Sequence, residues 1–381
     1  MTRVDPEALG GGTVLRLLTD AGFEAYVVGG PVRNALLGVP VSDVDIATNA
    51  HPAQVIDCAN AAGIKAVPTG IDHGTVTLVV NGEPIEVTTY RRDVATDGRR
   101  AVVAFADSIE QDARRRDFTL NALYADLNGD VLDPLGGMAD LLARRIRFID
   151  DPEQRIREDY LRILRFFRFF AWYGAQDAGL DADGLAACAA QLDGLDQLSK
   201  ERVGSEILKL LSAPCPSQAV AAMDNCGVLA QVLPGAQAKA LPVLIHLEDG
   251  MTPHSLRRLA VLGGENVTEA LRLSKTDTRY LKALRTGIET MTPPHEAGYR
   301  LGADTARDLI LVRAALFEQP LNPDDVEAVS AGARATFPLK AKDLPELHGP
   351  ALGQALQLAE ATWIASGFAL TLPELIAMSR P

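Results

Sequence analysis

Near residue 136 the spacing of the apolar residues turns from strand-like to helical, and over the rest of this 381-residue chain it does not turn back. Before that point β-type runs alternate with helical ones. Residues 8–21 read as an amphipathic helix, AYVVGG (25–30) as a strand entering a glycine turn, and PVRNALLG (31–38) as a helix with Pro31 in its first turn and Gly38 at its end. SDVDIAT (42–48) alternates as a strand and HPAQVIDCANAAG (51–63) has helical spacing, while GTVTLVV (74–80) and EPIEVTTYR (83–91) read as a hairpin turned by NGEP. The polar stretch 92–111 carries no period and reads as a mobile loop. Helical spacing then governs 152–174, 185–198, 203–212, 217–231, 254–261, 266–291, 303–317, 324–331 and 350–366. A mixed α/β head followed by an all-helical remainder is the architecture this pattern allows, an α+β fold.

Composition narrows the function classes. Hydrophobic residues at 47% and charged residues at 23% are ordinary for a globular protein. No apolar run reaches membrane-spanning length and the first residues lack the layout of a secretory signal, so a cytoplasmic protein without a membrane partner is expected. Cys58, Cys188, Cys215 and Cys226 are scattered, with no zinc-ligand spacing. The net charge of −13 argues against a protein that coats nucleic acid over its whole surface. Basic residues are instead concentrated, at Arg114–Arg116 and through 142–170.

Chemistry is suggested first by Asp43-Val44-Asp45. On a strand these aspartates share a face while Val44 and Ile46 point to the other side. Two carboxylates side by side repel unless a cation lies between them, and Mg²⁺ commonly joins one or two carboxylates to substrate phosphates. Alone, such a pair is often only structural. Gly29-Gly30, however, ends a strand and opens a helix, where backbone amides can approach a triphosphate. Arg33 follows three residues on, able to reach the same phosphates bidentately. Glu86, on the strand IEVTTY, is a candidate third carboxylate, with an exposed strand glutamate as the plain alternative.

These residues carry a resemblance. GGPVRNALLG…SDVDIAT is similar to the signature of the class II tRNA nucleotidyltransferase and bacterial poly(A) polymerase family, GGxVRD followed by DxDIAT. TGIDHGTVTL, IEVTTYR, EQDARRRDFTLNALYAD (110–126), DPLGGMADL (133–141) and REDYLRILRFFRF (157–169) resemble its later segments in order, over about residues 25–210. Position 34 departs from the pattern, with Asn34 where the family usually has Asp. The resemblance implies a polymerase-β-type nucleotidyltransferase head (1–135), a helical neck with a base-reading helix (136–200), and a helical body and tail that bind tRNA (201–381). It implies template-independent addition of the 3′-terminal CCA of tRNA from CTP and ATP with Mg²⁺, and no DNA partner. Asp43, Asp45 and Glu86 would be catalytic, the first two holding the metal. Gly29, Gly30, Arg33, Arg115, Arg116, Asp117, Asn121, Asp159, Arg162, Arg165 and Arg168 would bind the nucleotide, the RRD motif reading ribose and phosphate. Poly(A) polymerase, a partial A- or CC-adding enzyme, and a catalytically inactive tRNA-binding protein are the alternatives. None of the six histidines precedes an Asp, so the phosphohydrolase dipeptide of some relatives is absent.

The motif Arg115-Arg116-Asp117 is expected to open a helix, with Asn121 one turn on. The helix around 158–170 has apolar residues on every side yet carries Glu158, Asp159, Arg162, Arg165 and Arg168. Glu158 and Arg162 can pair at i,i+4, which leaves Asp159 and Arg165 free for other work. An acceptor on Asp159 beside a donor on Arg162 matches the exocyclic amine and ring nitrogen that cytosine and adenine share; uracil and guanine present the reverse. Arg165 and Arg168 would support the base or triphosphate. In the helical remainder Arg257, Arg258, Arg272, Lys275, Arg279, Lys282 and Arg285 are candidate tRNA contacts, or a merely solvated scaffold.

Overall fold

In the computed structural model, which describes residues 2–379 apart from 42, 98 and 99, the strand signals of the first third assemble into one mixed sheet. Its strands are β1 (Ala25–Val28), β2 (Asp45–Thr48), β3 (Lys65–Gly70), β4 (Thr75–Val80) and β5 (Glu83–Thr89), with the short β8 (Tyr124–Ala125) and β9 (Val131–Leu132). A separate ribbon pairs β6 (Arg91–Asp97) with β7 (Arg100–Phe105). The seven-stranded order is β3-β4-β5-β2-β1-β8-β9, with β2 and β5 parallel and the other neighbours antiparallel. The expected hairpin is β4–β5, turned by Asn81 and Gly82, both at positive φ as a two-residue hairpin loop of this hand requires.

The chain folds as two units, residues 1–206 with 218–232, and residues 207–217 with 233–381. In the first unit the helices are α1 (Pro6–Leu9), α2 (Gly12–Asp20), α3 (Gly30–Leu37), α4 (Pro52–Ala61), α5 (Ile109–Arg114), α6 (Gly137–Leu142), α7 (Pro152–Glu158) and α8 (Leu161–Tyr173), followed by further elements and by the helix Lys200–Leu211, whose last residues belong to the second unit. The core joins Val28, Ala47, Tyr90, Tyr124 and Ile149 around the sheet. Phe118, Phe148, Phe166 and Phe169 pack ring on ring at centroid distances of 4.9–5.4 Å, Phe148 and Phe166 stacked and the other pairs tilted, and fix α8 against the motif that follows α5.

Five sequence expectations are corrected here. The helix at 8–21 is two helices, interrupted at Gly10 and Gly11. The alternating strand 42–48 begins only at Asp45, so Asp43 precedes it, and Ser42 lies outside the described residues. The stretch 92–111, apart from 98 and 99, which lie outside the described residues, is not a loop but most of the β6–β7 ribbon and the start of α5, because ladder hydrogen bonds between the two strands replace the missing apolar period. Arg115-Arg116-Asp117 follows the end of α5 instead of opening a helix. The helix 152–174 is broken at Asp159, whose extended backbone (φ −154°, ψ 105°) separates α7 from α8.

Among the described residues of the second unit the elements are helices, joined by turns and one isolated bridge between Ala236 and Gly263. The helix Ala303–Leu316 buries Ala306, Leu309, Ile310, Leu311, Val312, Ala314 and Ala315 and packs against Leu241–Leu247, Ser255–Leu262 and Lys275–Glu289. Leu241–Leu247 and Pro294–Leu301 escape the sequence reading because Pro242 and Pro294 resemble breakers; each sits in a first turn, where no amide donor is needed. Arg257 and Arg258 correct another expectation. They are 3% and 2% exposed, and both bind Glu248, at 2.6 and 2.9 Å. Arg257 also binds Asp308 at 2.7 Å, while Arg258 donates to the Leu211 and Ala213 carbonyls. They are core ion pairs and cannot meet a ligand in solution.

Candidate nucleotide site

Every residue that the sequence assigned to catalysis or nucleotide binding, Glu86 excepted, lines one cleft of about 520 Å³ in the first unit. The β1–α3 turn supplies its floor. Gly29 has φ 75° and ψ −118°, a backbone state open to glycine, and its amide donates to the Leu123 carbonyl at 3.0 Å. A Cβ there would lie 3.4 Å from Arg116 Nη1, an ordinary contact, so it is the positive φ that calls for glycine and the arginine stands against the turn.

Arg33 is 6% exposed and much of its fork is committed. Nη1 donates to Asn121 Oδ1 at 2.6 Å, Nε and Nη2 donate to Asn34 Oδ1 at 3.1 and 2.8 Å, and Nη2 also donates to the Tyr173 hydroxyl at 2.9 Å. One of its five N–H bonds is left, so a bidentate grip on phosphate requires these contacts to open. Asn34 keeps the acceptor that an aspartate would offer and adds a donor, bonded to the Pro40 carbonyl at 2.9 Å. The guanidinium carbons of Arg33, Arg165 and Arg168 lie 5.1, 5.2 and 4.6 Å from the centroid of the Phe169 ring, whose face offsets part of their mutual repulsion.

Asp117, 7% exposed, has all its lone-pair directions in use. Oδ1 accepts from the Phe118 amide and Asn121 Nδ2, both at 2.9 Å, and Oδ2 accepts from Nε and Nη2 of Arg165, the former at 2.7 Å. Burial raises its carboxyl, but Arg165 and Asn121 outweigh that and hold it well below the usual carboxylate range. Arg165 is therefore not free, and a ribose hydroxyl has to displace it to reach Asp117.

The break between α7 and α8 shapes the other wall. Glu158 accepts from Arg155 and, at 2.5 Å, from Arg162. Arg162 also donates to the Arg155 and Arg115 carbonyls at 2.7 and 3.0 Å. Asp159 is not free either. Oδ2 accepts from Arg202 at 2.7 Å and Oδ1 from the Leu161 amide at 3.0 Å. Each side chain retains capacity, two N–H bonds on Arg162 and lone pairs on Asp159. Arg168 is held by Glu206 at 2.5 Å. Arg202 and Glu206 escape the sequence reading because they stand about forty residues from their partners with no local period to betray them.

Asp43 and Asp45 both open into the cleft. The protein around Asp45 desolvates it and pushes its carboxyl up, Glu86 and Asp43 add to that, and Arg116 opposes it. Glu86 stands in parallel register with Asp45 but is exposed on β5 and does not line the cleft. Among the described residues no group of three or more carboxylate, imidazole or thiol side chains is placed to hold a metal. Two crowded carboxylates with an upward-shifted member nonetheless fit a divalent cation that takes its remaining oxygens from substrate phosphates.

Comparison with known proteins agrees with this geometry. Residues 25–147 match the poly A polymerase head domain, and residues 180–239 match the probable RNA and SrmB-binding site of polymerase A. A CCA-adding enzyme of Streptococcus pyogenes serotype M2 is 37% identical over 284 residues, 71% of this chain and 69% of that protein. The structure of the Bacillus stearothermophilus CCA-adding enzyme in complex with CTP superposes with a TM-score of 0.78 at 28% identity, covering 98% of this chain and 97% of that one. The Thermotoga maritima CCA-adding enzyme complexed with tRNA shares the fold at 20% identity, TM-score 0.72, covering 99% and 96%.

Proposed function

The chain belongs to the family of CCA-adding enzymes and poly(A) polymerases, and on that premise we propose that it adds or repairs the 3′-terminal CCA of tRNA in the cytoplasm. It is a nucleotidyltransferase. The observation that carries the reading is the single cleft where two carboxylates face a cluster of arginines, in a chain 37% identical to a CCA-adding enzyme. CTP and ATP are the substrates, and head (1–135), neck (136–200), and body and tail (201–381) divide the work. No helix among the described residues is long and apolar enough to cross a membrane.

Asp43 and Asp45 would hold Mg²⁺, which when bound would supply Lewis acidity to the triphosphate and the attacking 3′-hydroxyl. Gly29 and Gly30 let backbone approach the phosphates at the α3 N-terminus. Arg116, Arg165 and Arg168 hold the phosphates and favour the departure of pyrophosphate as the 3′-oxygen attacks the α-phosphorus. Glu86, in register with Asp45 on the neighbouring strand, adds negative charge that sharpens the pair's need for a cation. Asp159 and Arg162, oriented by Arg202 and Glu158, present an acceptor and a donor to the base edge, so amino acids replace a template strand. In the second unit the exposed Lys275, Arg279 and Lys282 meet tRNA phosphates.

Labelled tRNA lacking CCA, incubated with each NTP and with CTP plus ATP, tests the substrate assignment. Growth by CCA supports it, and long A-tracts from ATP alone overturn it in favour of poly(A) synthesis. Asp45→Ala should lower incorporation by about a thousandfold or more, several kcal/mol of charge stabilisation, while tRNA affinity stays intact. Near-normal incorporation by that variant sinks the metal assignment.

A further inference from the structure

Of the arginines that open onto the cleft, Arg116 stands beside the Gly29 turn and acts electrostatically on Asp45. A free arginine side chain loses rotamer entropy when substrate fixes it, and a side chain already held loses less. Two buried groups behind the cleft hold Arg116, and neither lines the cleft. Tyr124, fully buried on β8, accepts from Arg116 Nε at 3.1 Å and donates to Asp112 Oδ2 at 2.8 Å. Asp112, 1% exposed on α5, accepts from Arg116 Nη2 on the same oxygen at 3.1 Å.

These contacts form a closed triangle whose proton directions are determined. Arginine accepts nothing, so the Tyr124 hydroxyl gives its hydrogen to Asp112 and turns a lone pair to Arg116. The clamp occupies Nε and Nη2 and leaves Nη1 at the Gly29 turn, where the phosphate cradle begins. The second Asp112 oxygen accepts from Arg115 Nε at 2.8 Å, so one buried carboxylate orients both arginines.

We propose that Asp112 and Tyr124 are positioning residues for nucleotide binding, a buried clamp that fixes Arg116, and through Asp112 also Arg115, in the orientation the triphosphate meets. This rests on the reading of the cleft as the nucleotide site. It makes Tyr124 a determinant of nucleotide affinity although it never touches nucleotide.

The test is a double-mutant cycle with Tyr124→Phe, which keeps the core ring and removes only the hydroxyl, and Arg116→Ala. Steady-state kinetics with CTP and with tRNA are measured below the melting transition of every variant. Tyr124→Phe should raise KM for CTP by about tenfold, the scale of one hydrogen bond to a charged group, and leave KM for tRNA unchanged. The double variant should match Arg116→Ala within about twofold, because Arg116 is the arginine the hydroxyl itself touches and Asp112 alone still holds Arg115. Multiplying single effects, or a lowered melting temperature with unmoved KM for CTP, overturns the clamp. An Arg116→Ala variant with unchanged KM for CTP instead removes Arg116 from the nucleotide site, a separate failure of the underlying reading.

Discussion

The Asp159 carboxylate takes one hydrogen bond from Arg202 and one from the Leu161 amide, and Arg162 is braced by Glu158 and two carbonyls. Bracing of this kind favours selectivity, since a fixed acceptor beside a fixed donor cannot turn to suit uracil. Asp159→Ala should lower kcat/KM for CTP and ATP by about ten- to a hundredfold, the loss of a charge-assisted hydrogen bond, and spare UTP. Arg202→Ala is the control. It removes the tie to Asp159 but keeps the acceptor, so selectivity should fall less. Equal losses for all four nucleotides in Asp159→Ala, with a lowered melting temperature, would reduce this side chain to scaffold. At this scale Glu158–Arg162 was legible from i,i+4 spacing, whereas the commitment of Arg165 to Asp117 was not, because those residues meet only after α8 packs on the Phe118 segment.

Breaks between elements matter as much as the elements themselves. Asp159 ends α7 with an extended backbone before α8 begins, and the adjacent Glu158 and Asp159 take different partners, Arg162 and Arg202. In the second unit the helices Pro294–Leu301 and Pro323–Arg334 cross at Gly298 and Gly332. A Cβ on Gly332 would lie 2.0 Å from the His295 carbonyl oxygen, and one on Gly298 would lie 2.2 Å from that of Val329. Backbone cannot yield as a side chain does, so Gly332→Ala should force the helices apart at a cost of about 1–3 kcal/mol. A lowered denaturant midpoint with unchanged slope is the expected result. An unaltered midpoint would mean the crossing relaxes freely.

Over the whole molecule a net charge of −13 has to coexist with a polyanionic substrate. Arg257 and Arg258 are spent in the core. Arg285 is half-buried, donating to the Gly263 and Gly264 carbonyls. Lys275, Arg279 and Lys282, at i, i+4 and i+7, instead form an exposed stripe opposite the buried Leu281 and Leu284. Affinity for tRNA should therefore fall steeply with salt. Replacing all three by Gln should flatten the slope of log Kd against log salt by about 2–3, roughly one for each phosphate that is no longer neutralised. A slope unchanged in the triple variant would place the tRNA on another surface.

The sequence by itself determined the fold class, the β4–β5 hairpin, the glycine turn, the carboxylate pair and the run of arginines, because each is encoded in spacing over a few residues. Periodicity could not show the β6–β7 ribbon, whose strands are held by cross-strand hydrogen bonds between backbones. Only the tertiary structure decided which charges are spent and which are open. Whether an arginine faces a carboxylate from another element or faces solvent depends on packing across tens of residues. Asp117 with Arg165 and Arg257 with Asp308 were settled there, because a buried charge must find a partner wherever the fold brings one, and the half-buried Asp159 met Arg202 through the same packing.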